Sequence, residues 1–146
     1  MKAPEKIKIR ATVNAPVEQV WHLWNTPEHI CKWNAADPSW HCPSSENDLR
    51  NGGTFKHRME ARDGSAGFDF EGRYDQIEPL SEISYTMSDG RRVSTRFTAE
   101  GNQTAMDVSF DPETENSPED QKNGWQAILN HFAAYAASQT KNDHVK

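Results

Sequence analysis

Residues 54–87, TFKHRMEARDGSAGFDFEGRYDQIEPLSEISYTM, alternate between apolar and polar side chains over most of their length. Alternation of this kind is typical of β-strands, because successive side chains point to opposite faces of a sheet. The dipeptide Asp63-Gly64 interrupts the pattern and favours a short hairpin turn. The segment therefore predicts consecutive antiparallel strands.

The pattern continues on both sides of this segment. Strands are predicted at residues 7–13, 54–62, 67–77, 83–87, 92–99 and 104–110. Further turn dipeptides, Asp89-Gly90 and Gly101-Asn102, favour antiparallel pairing of neighbouring strands in a meander. Residues 34–51 have no regular period and include two prolines, so they are predicted to form a loop that carries Trp40.

Three helices complete the predicted fold. Two short helices follow Pro16 and Thr26, since apolar residues then recur at helical spacing. Ser117-Pro118-Glu119-Asp120 resembles a capping box, and it precedes a long apolar stripe formed by Trp125, Ile128, Leu129, Phe132 and Ala136. We therefore predict one α+β domain over residues 1–146, with residues 140–146 as a frayed tail.

Composition excludes several functions. Sixteen Lys plus Arg against twenty-two Asp plus Glu give a net charge of −6, which argues against nucleic-acid binding. No apolar stretch approaches the roughly 18 residues that span a bilayer, and no secretion signal is visible. We expect a soluble cytoplasmic protein without membrane insertion. Cys31 and Cys42 are then expected to be reduced thiols.

Several short sequence motifs resemble those of a known family. They are Thr26-Pro27-Glu28-His29 with Lys32-Trp33, Asp48-Leu49-Arg50 with Gly52-Gly53, Phe70-Glu71-Gly72, Tyr85-Thr86 and Gly124-Trp125. Over roughly residues 5–138 the chain resembles the SRPBCC superfamily, which includes START domains and birch-pollen allergens, in the branch named after activators of the heat-shock chaperone ATPase. The resemblance implies a helix-grip fold, in which a curved six-stranded sheet wraps a long C-terminal helix.

The resemblance also implies a function. Members of the superfamily hold apolar molecules in a cavity between the sheet and the long helix, and some are polyketide cyclases. The eukaryotic activators carry a separate chaperone-binding domain, for which 146 residues leave no room. Chaperone binding is therefore kept only as an alternative.

One face of the predicted sheet collects charge, whereas the other collects aromatic and aliphatic side chains. Together with the closing helix and two loop tryptophans, the apolar face gives the predicted ligand-binding residues. These are Trp33, Trp40, Phe55, His57, Met59, Phe68, Phe70, Tyr74, Tyr85, Met87, Val93, Thr95, Phe97, Trp125 and Leu129.

Within this set, His57 is a polar group among apolar neighbours. It could orient a carbonyl or hydroxyl of a ligand, or it could be a core histidine satisfied by a neighbouring group. Trp33 and Trp40, together with Trp24, could form an aromatic rim at the cavity mouth, or they could only hold the loop in place.

Other chemistry receives weaker support. His29, Cys31, His41 and Cys42 are zinc-ligand types, but their spacing does not match a tetrahedral site. Asp69 and Glu71 could act as an acid and a base, but their position in the alternation puts them on the solvated face. We therefore expect neither a metal nor a cofactor.

The sequence thus favours binding of a small, largely apolar ligand that is aromatic or lipid-like. A cyclase- or hydratase-like enzyme is the first alternative, with proton transfer by His57 or a tyrosine. A chaperone-interaction module is the second alternative, and it would require an exposed apolar patch.

Overall fold

The structure, a computed structural model, describes residues 6–35 and 38–144, with side chains as far as residue 139. Its elements in chain order are β1 (Ile7–Val13), α1 (Val17–Asn25), α2 (Pro27–Trp33), β2 (Trp40–Asn47), β3 (Thr54–Ala61), β4 (Gly67–Glu78), β5 (Glu82–Met87), β6 (Arg92–Glu100), β7 (Gln103–Phe110) and α3 (Pro118–His144). Within the described residues, all seven strands form one antiparallel sheet in the order β1-β7-β6-β5-β4-β3-β2.

The sheet curls around α3, and this arrangement confirms the predicted α+β helix-grip fold. α3 packs against β1 and contacts α1 and α2, while α2 packs against β2 and α1 contacts β6 and β7. The helix extends to His144, so it includes most of the segment predicted to be a tail. The last two residues of that segment, 145 and 146, lie outside the described residues. No helix in the described part of the chain combines the length and the apolar character needed to cross a membrane.

The predicted strand count was wrong, because residues 40–47 form an edge strand and not a loop. The pairing of β2 with β3 shifts between His41 and Ser44, where Cys42 and Pro43 together lie opposite Met59. A bulge of this kind adds one residue and reverses the alternation of faces beyond it. The pattern that would have identified the strand is therefore broken at its middle, and Pro43 also lacks a backbone N–H to pair.

The registers of the remaining strands follow the predicted faces. His57 lies opposite Phe70, Tyr85 opposite Val93, and Thr95 opposite Val108. On the outer face, Arg58 lies opposite Asp69, with 3.4 Å between Nη1 and Oδ1. One face of the sheet is therefore apolar and turned toward the helix, while the other carries the ion pairs.

Large side chains from α3 and β7 fill one end of the interior. The most completely buried include Phe110, Met106, Leu129 and Phe132. Burying each such side chain contributes roughly 1.5–3 kcal/mol. Well-packed contacts at this end therefore hold α3 in place along the sheet.

A side chain of α3 also covers the β1 edge of the sheet. The Gln126 amide donates to the Arg10 carbonyl at 2.9 Å, and its oxygen lies 3.4 Å from the Arg10 backbone nitrogen. Unpaired strand edges promote pairing with other chains. Gln126 therefore fixes the helix to β1 and occupies hydrogen-bonding groups of that edge.

Candidate ligand-binding cavity

A cavity of about 240 Å³ lies between the inner face of the sheet and the three helices. Most of its wall is aromatic or aliphatic. Twelve of the fifteen predicted ligand-binding residues border it; Trp40, Met87 and Phe97 do not. The curl of the sheet against a straight helix leaves this space, because the two surfaces do not meet along their full length.

Phe55 lies at the centre of the aromatic wall. Its ring centroid is 4.8 Å from that of Tyr85, 5.2 Å from that of His57 and 5.2 Å from that of Tyr74. Gly72 lies opposite Phe55 in the register, and a Cβ at that position would stand 2.9 Å from Cζ of the Phe55 ring. The absence of a side chain at Gly72 therefore makes room for the ring that organises this wall.

His57 is the most deeply buried basic group of the wall. Its neighbour across the ladder is Ser45, whose hydroxyl lies 2.7 Å from Nδ1 of the ring. Burial lowers the pKa of His57 to about 4, so the imidazole is neutral near pH 7. A serine hydroxyl both donates and accepts, so Nε2 can offer the cavity either a donor or an acceptor.

Two hydroxyl groups in the wall have no hydrogen-bond partner among the described residues, those of Tyr85 and Thr95. No completely buried side-chain nitrogen or oxygen in the described part of the chain is left without a partner. These two hydroxyls therefore open onto the cavity, although Thr95 is only 4% exposed. Burial also raises the pKa of Tyr85, which keeps its phenol protonated.

Tyr74 differs from these two residues because its hydroxyl is engaged. The Asn47 amide approaches it at 3.4 Å and also donates to the backbone carbonyl of Asn25 at 2.7 Å. Asn47 thus links β2, β4 and the end of α1 beside the cavity. Asn25, Asn34, Asn47 and Ser45 carry no periodic signal, so their positions around the site could not be predicted from the sequence.

The apolar wall residues that were not predicted belong to regular patterns. Ile9 follows the alternation of β1, Ile30 shares the apolar side of α2 with Trp33, and Ile128 belongs to the stripe of α3. Whether such a residue lines a cavity or lies in a filled core depends only on the distance between the sheet and the helices. These residues could therefore be recognised as buried but not as part of a site.

Trp24 and Trp33 form part of the cavity wall. Their rings stack with centroids 4.7 Å apart, and both meet Phe132 edge-on at about 5 Å. The Trp33 indole donates to the Leu23 carbonyl at 3.1 Å. The pair closes one end of the cavity. At Trp24 and Trp33, the aromatic side chains expected at the cavity mouth therefore form an internal wall.

The three predicted residues outside the cavity have identifiable neighbours. Trp40 lies opposite Ala61 at the end of β3 and packs 6.0 Å from Phe68, measured between ring centroids. Phe97 lies under α1, with its ring 5.3 Å from that of Trp21. Met87, at the end of β5, borders surface grooves and not the cavity. Alternation assigns these side chains a face, but not a position along it.

A surface groove of about 460 Å³ adjoins the cavity and shares Phe68, Phe70 and Trp125 with it. Phe68 is 49% exposed, an unusual state for such a large apolar side chain. The titratable side chains of the groove are Asp69, Glu71, Asp89, Arg91, Glu113 and Asp120. The Arg91 guanidinium pairs with Asp89 at 2.7 Å and Arg58 pairs with Asp69 at 3.4 Å, so Glu71, Glu113 and Asp120 give the groove its negative charge.

The residues considered for metal binding are dispersed. His29 lies 2.6 Å from the Tyr135 hydroxyl, and His41 lies 3.9 Å from Glu60. In the described part of the chain, no group of three or more His, Cys, Asp or Glu side chains is placed to hold a metal ion. Cys31 and Cys42 do approach each other, with 3.9 Å between their sulfur atoms.

A curled antiparallel sheet that grips a C-terminal helix across an apolar cavity defines the START-like class of proteins, whose fold is suited to ligand binding. The family model described as "Activator of Hsp90 ATPase homolog 1-like protein" matches residues 14–137. The chain belongs to this family, as its sequence phrases predicted.

Solved structures agree with this assignment. An AHSA1-like protein from Aeromonas hydrophila is 43% identical, with 92% of this chain and 94% of that chain covered and a TM-score of 0.87. Chr148 from Cytophaga hutchinsonii is 49% identical, with 93% and 94% covered and a TM-score of 0.80. CV1439 from Chromobacterium violaceum, at 24% identity, covers 92% and 99% with a TM-score of 0.82 and is similar in fold alone. No curated protein matches the chain.

Proposed function

We propose that this protein binds a small, uncharged, mostly aromatic molecule in the cavity between the sheet and α3. The observation that carries the proposal is an apolar cavity whose wall holds two hydroxyls, those of Tyr85 and Thr95, that have no hydrogen-bond partner in the described part of the chain. Buried polar groups in proteins are nearly always hydrogen-bonded. A ligand with one or two polar atoms would satisfy these hydroxyls while its rings contact the aromatic wall.

The size of the cavity favours a compact ligand. Its volume of about 240 Å³ exceeds the roughly 150 Å³ of an engineered cavity that holds benzene. It falls just below the range of about 300–1,000 Å³ for pockets that hold drug-sized molecules. A molecule of one or two rings fits these limits better than a long acyl chain, so an aromatic ligand is favoured over a lipid.

The charge of the adjoining groove favours a neutral ligand. Five carboxylates line the groove beside Phe68 and Trp125, and two of them are paired with arginines, so its net charge is negative. Like charges in such a groove repel an approaching anion. Within the cavity, the neutral His57 and the protonated Tyr85 offer hydrogen bonds but no charge. An organic acid would therefore be repelled by the groove as it approaches, and the cavity would offer no positive charge to bind it.

Binding ranks ahead of the two alternatives. An efficient general base has a pKa near the working pH, whereas burial lowers the pKa of His57 to about 4 and raises that of Tyr85. Neither group is poised to transfer a proton near pH 7. A chaperone-interaction module would need a broad exposed apolar patch, and Phe68 and Leu80 are the exposed large apolar side chains of the described residues.

Filling the cavity should abolish binding. Thr95 lies on a central strand, and a Thr95→Phe variant would place a ring in the cavity. A thermal-shift screen of neutral one- and two-ring compounds identifies ligands, since a ligand at 100 times its Kd adds about 2.7 kcal/mol of apparent stability. We expect Thr95→Phe to remove this shift. Dissociation constants follow from the fluorescence of the tryptophans in the wall.

The matched control is Thr95→Val, which keeps the volume and removes only the hydroxyl. It should weaken a hydrogen-bonding ligand by about fivefold, corresponding to a net hydrogen bond of about 1 kcal/mol. If a folded Thr95→Phe variant bound the same ligand with unchanged Kd, the ligand would not occupy this cavity.

His57→Leu is expected to change ligand preference more than stability at pH 7. Leucine retains an apolar side chain beside Phe55 and removes the polar group that faces the ligand. A ligand that bonds Nε2 should lose roughly tenfold in affinity, whereas its apolar analogue should not. Fluorescence titrations of both compounds test this, and equal affinity of the variant and the wild type for both would rule out a role for His57.

A further inference from the structure

Cys31 and Cys42 lie side by side although they belong to different elements. Cys31 is on α2 and Cys42 is on β2, and their sulfur atoms are 3.9 Å apart. Both are free thiols, and Cys42 is also 3.3 Å from the Ser44 carbonyl oxygen. The two sulfurs therefore form a dithiol within the described part of the chain.

The position of Cys42 in β2 explains this proximity. Cys42 and Pro43 share the place opposite Met59, and Cys42 is buried, at 3% exposed, while Pro43 faces solvent. Cys42 lies two residues after Trp40 and so faces the same side of the strand, whereas the bulge changes the face of the residues from Ser44 onward. α2 packs directly against β2, so the inward Cys42 meets the helix at Cys31.

We propose that Cys31 and Cys42 are a modification site that a hydroperoxide oxidises to a reversible intramolecular disulfide. The geometry carries the proposal, because the sulfurs are already in contact across two packed elements. A disulfide bond is about 2.05 Å long, so closure requires the sulfurs to approach by roughly 2 Å. The dithiol is separate from the hydroxyls assigned to the ligand, and its test does not depend on ligand binding.

The reaction divides between the two residues by accessibility. Cys31 is partly exposed and meets the oxidant first. Its thiolate attacks one oxygen of the hydroperoxide, the O–O bond breaks, and an alcohol or water leaves after protonation. Cys31 then carries a sulfenic acid.

Cys42 completes the reaction as the resolving thiol. Its sulfur attacks Cys31 Sγ, the S–O bond breaks, and the departing hydroxide takes the Cys42 proton to leave as water. The two thiols lose two electrons in total and the hydroperoxide gains two. Burial and then the neighbouring Cys31 raise the pKa of Cys42 to about 12, so Cys42 is a protonated thiol and loses its proton only as it attacks Cys31.

The disulfide would join two elements that shape the cavity. α2 carries Trp33 in the cavity wall, and β2 carries Ser45, which holds the His57 ring. A bond between Cys31 and Cys42 would prevent α2 from moving away from β2. Oxidation would therefore stiffen this side of the cavity.

The test treats the reduced, folded full-length chain with equimolar hydrogen peroxide. After quenching and denaturation, free thiols are counted with a maleimide and the intact mass is measured. We expect the number of free thiols per chain to fall from two to none and the mass to fall by that of two hydrogens. The product should remain a monomer, and a dithiol reductant should restore both thiols. Retention of both thiols, oxygen addition without a disulfide, or a disulfide between chains would overturn the proposal.

Two serine variants serve as matched controls. Cys42→Ser should stop at the Cys31 sulfenic acid, which dimedone traps. Cys31→Ser should leave the buried Cys42 unmodified under the same conditions. Equal loss of the free thiol in both variants would show that Cys31 is not the residue oxidised first. A disulfide-linked dimer of either variant would indicate random oxidation.

Discussion

Replacing Gly53 with alanine is expected to destabilise the protein by about 3 kcal/mol or more. A Cβ at this position would overlap the backbone carbonyl oxygen of Asp48 and lie 3.0 Å from its carbonyl carbon. Backbone atoms cannot move aside by changing rotamer, so the cost falls at the upper end of that for overpacking. Urea unfolding measures the loss, and the melting temperature should fall by roughly 10 °C.

The consequence extends to the cavity because the same turn is paired with β4. The Tyr74 N–H donates to the Gly53 carbonyl, and the Gly52 N–H donates to the Tyr74 carbonyl, each at 2.8 Å. Tyr74 lies in the cavity wall. A displaced turn would therefore move this wall as well as weaken the fold.

Gly124→Ala is the matched control for this prediction. Gly124 lies inside α3, and a Cβ there would meet no atom within 4 Å. Alanine favours helices over glycine by about 0.5–1 kcal/mol, so this variant should be slightly more stable than the wild type. If both variants were destabilised equally, the steric explanation for Gly53 would fail.

The protein is also expected to lose about 3 kcal/mol of stability between pH 6.5 and pH 4 through His57. Burial lowers the pKa of the folded-state imidazole from 6.5 to about 4. Within this window the unfolded chain binds a proton at His57 and the folded chain does not, so stability decreases as the pH falls. One pKa unit corresponds to about 1.4 kcal/mol, which gives the stated magnitude over the interval.

The measurement is the urea midpoint of the wild type and His57→Leu across this pH range. Burial and His22 lower the pKa of His29 as well, so its contribution has the same sign, but it is common to both proteins. We expect the wild type to lose more stability than His57→Leu as the pH falls from 6.5 to 4. A difference independent of pH would show that the buried imidazole is protonated without cost.

How much of the fold was predictable can be traced to particular residues. Phe55, His57 and Phe70 obey the alternation of their strands, so their shared face followed from local sequence. Ser45 does not, because the bulge between His41 and Ser44 changes the face of every later residue in β2. The hydrogen bond from Ser45 to His57 therefore had no signal in the sequence.

The candidate site was predictable to a similar degree. Twelve predicted side chains border the cavity, since inward-facing apolar residues must line any space left against the helix. Trp40 and Phe97 show the limit of this reasoning, because each faces inward but packs against another aromatic ring. Their positions depend on how far each strand end lies from α3.

The sequence by itself determined the succession of the helices and of every described strand except β2, the two faces of the sheet and the family. These features depend on spacings of two to four residues and on short sequence motifs. Such signals are local, so they can be recognised without the tertiary structure. Only the tertiary structure decided the volume of the cavity, the position of the Tyr85 and Thr95 hydroxyls in its wall, and the contact between Cys31 and Cys42. Each of these depends on the distance between separate elements, and that distance is set by sheet curvature and by side-chain packing across the whole domain.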